Sequence, residues 1–455
     1  MDIKKVADDI NNVSPSFCIA KWKQVTIHLQ NGHTHSCHHP STHKIPISEI
    51  KRNPSALHNT EYKKSLRKMM LDGERPSECD YCWRVEDSGE GHHSDRIYKS
   101  SDSEWAYPYL NDIVNKPWDD NVDPSYVEVS FGNVCNFKCS YCNPAVSSQW
   151  MEEIERYGPY PTSTQYNNLK YIEMSELTPI PNNQYNPYVE AFWEWFPEMY
   201  NNLKYFRITG GEPLLNKNTF KVLDYIIENP NPNLEVSINT NMNPPKELFN
   251  KFLEKIKIII DQKKLKRFKL FTSAEAHGKC AEYIRYGMKY DDWIENLHRV
   301  YTEVPSIQFT IMSTYNLLSL TSYNDFLKDI LNIKKKYGTD TYSPILLDIP
   351  YLRHPSHQSL FIAEHDHLDM ISSHINYMEN NTDGTHNTFS ENEIDKLRRI
   401  YLIVKNSIDV DMSRVTNNRK DFVKFVDEHD ARRGTIFLKV FPELINTYNK
   451  WKNIK

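Results

Sequence analysis

A chain of 455 residues, a quarter of them charged and with a formal net charge of −5, has room for one large α/β domain and smaller attachments. That balance argues against broad electrostatic attraction to nucleic acid or to an acidic membrane surface. No apolar run approaches the length of a membrane span, and the opening MDIKKVADDINN has no apolar signal core, so a soluble cytoplasmic protein is expected.

Eight cysteines in a reducing compartment argue for metal ligation before disulfides. Four of them, Cys18, Cys37, Cys79 and Cys82, fall within residues 1–110. WKQVTIHLQNGHTHSC reads as a hairpin turning at Asn31–Gly32, which draws Cys18 and Cys37 together from its outer ends. A polar helix is predicted over roughly 60–71, stopped by Asp72–Gly73, and PSECDYCWRVE then supplies a C-x2-C unit. Two separated cysteine pairs can close a complete tetrahedral site with no open position. By spacing alone a [4Fe–4S] cluster and a structural zinc fit it equally well. His28, His33, His35, His38, His39 and His43 crowd the hairpin and allow a histidine to replace a cysteine. Most of them are expected on solvent-facing alternate positions. Residues 111–125 read as a connector punctuated by Pro and Asp.

From 126 to about 355 strands and helices alternate, the pattern of parallel βα units. The first strand (Tyr126, Val127, Val129, Phe131) ends at Gly132–Asn133 and delivers Cys135, Cys139 and Cys142 in one short loop. Three thiolates at C-x3-C-x2-C spacing can wrap one face of an iron–sulfur cube and leave one iron open. Structural zinc usually takes paired C-x2-C units and four protein ligands. Residues 150–200 form an insertion whose AFWEWF segment is too aromatic for a solvated loop; it reads as a packing layer or as a substrate-facing wall. The second strand, LKYFRI, runs into Thr209, Gly210, Gly211, Glu212 and Pro213. Two glycines at a strand end let backbone approach a ligand, and Glu212 suits an ammonium group. LEVSIN ends at the polar pair Thr240–Asn241, and FKLFTS ends at Ser273 and Glu275. Arg285 follows; its fork suits a carboxylate, with a surface salt bridge as the bland alternative. Cys280 reads as a small buried residue. SIQFTIMS and SPILLDIPYL complete six strands, and residues 356–455 are helical and free of cysteine, which leaves any second metal site to the N-terminal module. The predicted fold is α/β, a partial (β/α)6 TIM barrel with an N-terminal cysteine-rich metal-cluster module and a C-terminal helical extension. Its chemistry is expected at the carboxyl ends of the strands.

CNFKCSYC resembles the signature of the radical SAM superfamily, with Tyr141 at the aromatic position before the third cysteine, and TGGEP resembles that superfamily's GGEP motif. The run from Cys18 through DGERPSECDYCWRVEDSGEGHHSDR resembles the cysteine-rich module of twitch/SPASM-type members. The resemblance implies that S-adenosylmethionine chelates the open iron of a [4Fe–4S] cluster and is cleaved by one electron to a 5′-deoxyadenosyl radical. It assigns Gly210, Gly211 and Glu212 to the methionyl amino group, with Thr240 and Asn241 at the same strand ends. It assigns Ser273 and Arg285 to the ribose and the SAM carboxylate, and it gives Cys18, Cys37, Cys79 and Cys82 a second, auxiliary [4Fe–4S] cluster. Many relatives carry Ser-x-Asp-Gly where this chain has SAEAHG, which hands the acidic role to Glu275. An external flavodoxin or ferredoxin is implied as electron donor, and a peptide or amino-acid side chain as substrate, with a small-molecule metabolite as the alternative. No catalytic residue acting on the substrate is assigned. A reading of a different class is a non-catalytic zinc-binding α/β interaction protein, which predicts bound zinc and a colourless sample.

Overall fold

The computed structural model describes residues 1–89, 91–408 and 412–454. The chain divides into two compact units, each drawn from separated stretches: 1–133, 176–238 and 258–268 in the first, 134–175, 239–257 and 269–455 in the second. Strands are numbered in chain order as β1 (Gln24–His28), β2 (His33–His35), β3 (His43–Lys44), β4 (Tyr126–Ser130), β5 (Lys138–Cys139) and β6 (Tyr205–Thr209). They continue with β7 (Asn231–Asn239), β8 (Leu265–Thr272), β9 (Arg285–Tyr286), β10 (Gln308–Met312) and β11 (Ile345–Asp348).

In the first unit β4 pairs in parallel with β6, and β6 with β7; β4 and β6 bury alternate residues such as Val127, Val129, Phe206 and Ile208, while β7 is buried on both faces from Leu234 to Ile238. The predicted hairpin forms, with Thr26 opposite His35 and Ile27 opposite Thr34. Its first strand does more than was predicted: β1 lies parallel to β4, from Gln24 opposite Tyr126 to His28 opposite Ser130, and so extends the barrel-type sheet. β2 and β3 then edge the sheet antiparallel. The helix predicted over 60–71 is found as Glu61–Leu71, capped by Thr60, whose side chain accepts from the Lys63 N–H at 3.1 Å.

Most hairpin histidines are not exposed, contrary to the expectation. Of the six, only His38 is exposed; His33 is buried and the others are half-buried. The alternation argument assumes one wet face, and here both faces are covered. Lys63 Nζ reaches Thr34 Oγ1 at 2.8 Å, while His33 bonds Thr42 Oγ1 at 3.0 Å and the Glu176 carbonyl at 3.1 Å. His28 and His35 face each other, Nε2 to Nε2, at 3.2 Å.

The aromatic segment AFWEWF lies in the helix Pro187–Tyr200. Phe192 and Phe196 are fully buried; Phe192 meets Phe131 edge-on at 5.1 Å between centroids, and Phe196 meets Phe206 at 5.5 Å. For this part of the insertion the packing reading holds. A further core joins Val6, Ile10, Trp22, Met70, Trp83 and Trp105, with Cys82 inside it and Cys18 and Cys79 packed against it.

In the second unit β8, β10 and β11 run parallel, with Lys269 opposite Gln308 and Phe309 opposite Ile345. Helices Tyr323–Tyr337 and Glu391–Ser407 are tied to β11 by a buried ion pair, Lys334–Glu393 at 3.0 Å. Lys334 also donates to the Ile345 carbonyl, and Glu393 accepts the Leu347 N–H. The rest of the C-terminal region is helical as predicted, including Met412–Arg433. The six predicted barrel strands are all present, and the architecture is α/β with a mostly parallel sheet that does not close, a partial TIM barrel. No helix among the described residues is long and apolar enough to cross a membrane.

Candidate functional site

Sequence spacing brings Cys135, Cys139 and Cys142 into one loop, and the second unit fixes that loop's shape. Cys139 lies in β5, paired antiparallel with β9 so that Cys139 stands opposite Arg285 and Lys138 opposite Tyr286. The Ser140 N–H donates to the Ile284 carbonyl at 2.7 Å. Gly287 permits this clamp: its φ is +107°, and a Cβ there would lie 2.6 Å from the Asn136 carbonyl oxygen. The loop's own carbonyls are then taken up one by one. Trp150 Nε1 donates to Cys139 O at 2.9 Å, and Gln358 Nε2 to Ser140 O at 3.0 Å. Tyr166 Oη and Asn167 Nδ2 donate to Cys142 O at 2.6 and 3.0 Å, and Arg433 Nη1 to Lys138 O at 2.8 Å. Asn241, expected at a strand end facing the cofactor, donates to Asn136 Oδ1 at 2.7 Å and so holds the loop; Thr240 Oγ1 accepts the Met242 N–H. These bonds satisfy the loop's peptide groups and fix its course around the three sulfurs.

Against Cys139 sits a buried charged cluster. Arg285 stands just past the helix Gly278–Ile284, as its C-cap, and not within it. Its Nε and Nη2 donate to Glu275 Oε2 at 2.9 and 2.6 Å, Nη2 also to the Tyr141 hydroxyl, and Nη1 to Cys139 Sγ at 3.7 Å. The fork that the resemblance assigns to a cofactor carboxylate is thus occupied by a carboxylate of the chain itself. Burial raises the Glu275 carboxyl pKa, and Arg285 opposes the rise. Burial likewise pushes up the Cys139 thiol, again opposed by Arg285, and lifts Cys142 to about 12. Glu275 Oε1 is buried and has no hydrogen-bond partner. Ser273 is half-buried just beyond β8. Cys280, expected to be buried, is half-buried, its Sγ donating to the Val440 carbonyl at 3.4 Å.

A cavity of about 720 Å³ opens beside the same loop, within the usual range of small-ligand sites. It is lined by Tyr141 and Asn143, by Tyr166 of the insertion, by His354 and His357 after β11, and by Arg414 of the C-terminal helix. Burial lowers the His357 pKa to about 3. The 163–166 part of the insertion therefore faces a cavity, while its 187–200 part packs a core.

In the first unit Gly210 has φ +127°, and a Cβ there would lie 2.8 Å from both the Gly132 carbonyl and Ser130 Oγ. The Gly211 N–H donates to the same Gly132 carbonyl at 3.2 Å. Glu212 is buried and its Oε1 accepts the Leu214 N–H at 3.0 Å. Cys18, Cys37, Cys79 and Cys82 line one cavity with His39, Trp83, Asp95, Arg96 and Lys99. Burial raises all four thiols, opposed by Lys21 and Arg96 at Cys18 and by Lys99 at Cys37. Among the described residues, the three-membered donor group within 4.8 Å is His38, His39 and Asp95, and no three of the four sulfurs meet that limit. Thiolates on one zinc, at about 2.3 Å from the metal, sit about 3.8 Å apart.

Tyr166, Asn167, Trp150, Gln358 and Arg433 escaped sequence reasoning. Their backbone partners lie from 11 residues away, for Trp150, to 295, for Arg433, at no fixed spacing that would announce them; the tyrosine-rich composition of the insertion was the one available signal.

Residues 129–325 match the family model described as the radical SAM superfamily and are a radical SAM superfamily domain. Two curated relatives are GTP 3′,8-cyclases. That of Psychromonas ingrahamii (strain DSM 17664 / CCUG 51855 / 37) is 27% identical over 176 residues, 37% of this chain and 43% of that protein. That of Nautilia profundicola (strain ATCC BAA-1463 / DSM 18972 / AmH) is 27% identical over 116 residues, 26% of this chain and 27% of that protein. The chain thus spans less than half the length of either relative.

The domain implies S-adenosylmethionine and a [4Fe–4S] cluster, and the residues fit both. Three thiols, none of them in a disulfide, share a loop whose Lys138, Cys139, Ser140 and Cys142 carbonyls are bonded by protein, and the buried Glu275 Oε1 has no hydrogen-bond partner.

Proposed function

We propose that the protein is a radical SAM enzyme in which Cys135, Cys139 and Cys142 hold a [4Fe–4S] cluster that leaves one iron for S-adenosylmethionine. When bound, this pair supplies one-electron cleavage of the sulfonium and, from it, a 5′-deoxyadenosyl radical that abstracts hydrogen from a substrate C–H bond. The observation that carries the reading is the C-x3-C-x2-C loop, with its peptide groups satisfied by protein, inside a radical SAM domain. The chain's part is to bind and orient. Glu275, held by Arg285, keeps Oε1 for a donor such as a ribose hydroxyl, with Ser273 beside it in sequence. Glu212 is assigned the ammonium group, and Gly210 and Gly211 the close backbone approach.

The substrate on this reading is a peptide or amino-acid side chain. A small-molecule metabolite is the second reading, favoured by the cavity volume beside Tyr141 and by the small-molecule activity named for the two relatives. Cys18, Cys37, Cys79 and Cys82 are assigned an auxiliary [4Fe–4S] cluster of twitch/SPASM type. That no three of their sulfurs lie within 4.8 Å of one another supports it over zinc, and the surrounding Lys21, Arg96 and Lys99 suit thiolate ligands of either metal. An external flavodoxin- or ferredoxin-type donor and a cytoplasmic location complete the proposal.

The test compares Cys139→Ala with Cys79→Ser under anaerobic reduction with S-adenosylmethionine. Cys139→Ala abolishes 5′-deoxyadenosine formation. Cys79→Ser lowers iron by about four per chain while S-adenosylmethionine still binds. Retained 5′-deoxyadenosine formation in Cys139→Ala contradicts the reading of the loop, and unchanged iron with lost zinc in Cys79→Ser gives the first-unit site to zinc.

A further inference from the structure

We propose that Arg285 sets the reduction potential of the centre held by Cys135, Cys139 and Cys142, through an N–H···S hydrogen bond to Cys139, and that Glu275 trims the effect. The inference rests on the reading of that loop as a cluster site.

The geometry is specific. Arg285 Nη1 points to Cys139 Sγ at 3.7 Å, and the backbones of the two residues are partners in the β5–β9 ladder, so the contact is built into the pairing. The other two guanidinium nitrogens are held by Glu275 Oε2, which fixes the plane of the fork and leaves Nη1 to the sulfur. The Arg285 side chain is 8% exposed and that of Glu275 0%. An arginine cannot shed its proton, so the charge beside the sulfur is permanent. In a buried setting it is weakly screened.

Reduction adds one electron, from an external donor, to a thiolate-ligated cluster and leaves it one unit more negative; no bond or proton changes at Arg285. Potentials of such clusters follow net charge, hydrogen bonds to sulfur and exposure. A fixed cation donating to a ligand sulfur favours the reduced state, and a carboxylate paired with that cation takes part of the advantage away. Arg285 is in this sense a positioning and tuning residue: it touches a ligand, and Glu275 acts through it.

The experiment is an EPR-monitored redox titration of the full chain, reconstituted anaerobically, following the signal that Cys139→Ala removes, with iron and sulfide counted in every variant. Arg285→Gln shifts the one-electron equilibrium about tenfold against reduction, about 59 mV downward. Glu275→Gln shifts it upward, and Arg285→Lys, which keeps the charge but loses the fork, moves it downward by less than Arg285→Gln. A merely structural role would not give opposite signs at two residues that touch each other. Should Arg285→Gln lose iron, the Arg285→Lys and Glu275→Gln pair carries the same contrast. Potentials that stay at the wild-type value, or that move in one direction in both, overturn the proposal. A wild-type chain without a cluster overturns it together with the reading beneath it.

Discussion

Gly210 shows how one residue's conformation exposes a role. At φ +127° it sits where a side chain is strained, and a Cβ would press to 2.8 Å on the Gly132 carbonyl and on Ser130 Oγ. Gly210→Ala is expected to destabilise the first unit by about 1–3 kcal/mol, the cost of strain and overpacking. It should also weaken S-adenosylmethionine binding at least tenfold in equilibrium dialysis while the iron content stays. Binding at wild-type strength would remove Gly210 from the site. The glycine pair was legible as two glycines at a strand end, and the structure gives Gly210 a backbone reason to be one, its positive φ and the nearness of the Gly132 carbonyl. The Arg285–Glu275 pair was legible only as two residue types, since their meeting depends on β9 turning back onto β5 just after a short helix. The carbonyl partners Tyr166 and Asn167 were legible only as members of an insertion rich in Tyr and Asn: both serve a peptide oxygen some two dozen residues away.

Elements followed their patterns wherever one face was dry and the other wet. The Thr60-capped helix and the six predicted barrel strands were read correctly, β7 by its apolar run although both its faces are buried, whereas the two-residue strands β5 and β9 were not anticipated. The β1–β2 hairpin was read correctly as a hairpin and wrongly as a solvated one, because alternation cannot tell a wet face from one covered by distant chain. The helix Pro187–Tyr200 is the opposite case, with apolar residues around most of its girth and little amphipathic signal to orient it. Its energetic weight falls on Phe192, fully buried against Phe131, Phe196 and Phe206. Phe192→Ala should cost about 3–5 kcal/mol, seen as an earlier midpoint in chemical denaturation. A loss below 1 kcal/mol would show that this helix is not the core layer described above.

At the scale of the molecule, sequence order and compact units do not coincide. Each unit takes up three separated stretches, and the insertion at 150–200 is itself divided between them. The parallel βα rhythm, by contrast, was visible from end to end, and with it the expectation that chemistry sits at the strand ends. The two cysteine sets differ in this respect: one occupies the loop after β4, at a strand's carboxyl end, while the other gathers before β1, after the antiparallel β2 and around the start of the helix Asp80–Glu86, at the amino end of β1. The central claim is that the first set carries a cluster that cleaves S-adenosylmethionine. Its most direct test is iron and sulfide analysis of the anaerobically reconstituted chain, followed by reduction with S-adenosylmethionine and assay for 5′-deoxyadenosine. The account predicts a brown protein with about eight irons and eight sulfides per chain, and 5′-deoxyadenosine formed only after reduction. A colourless protein holding zinc, with no 5′-deoxyadenosine, would contradict it.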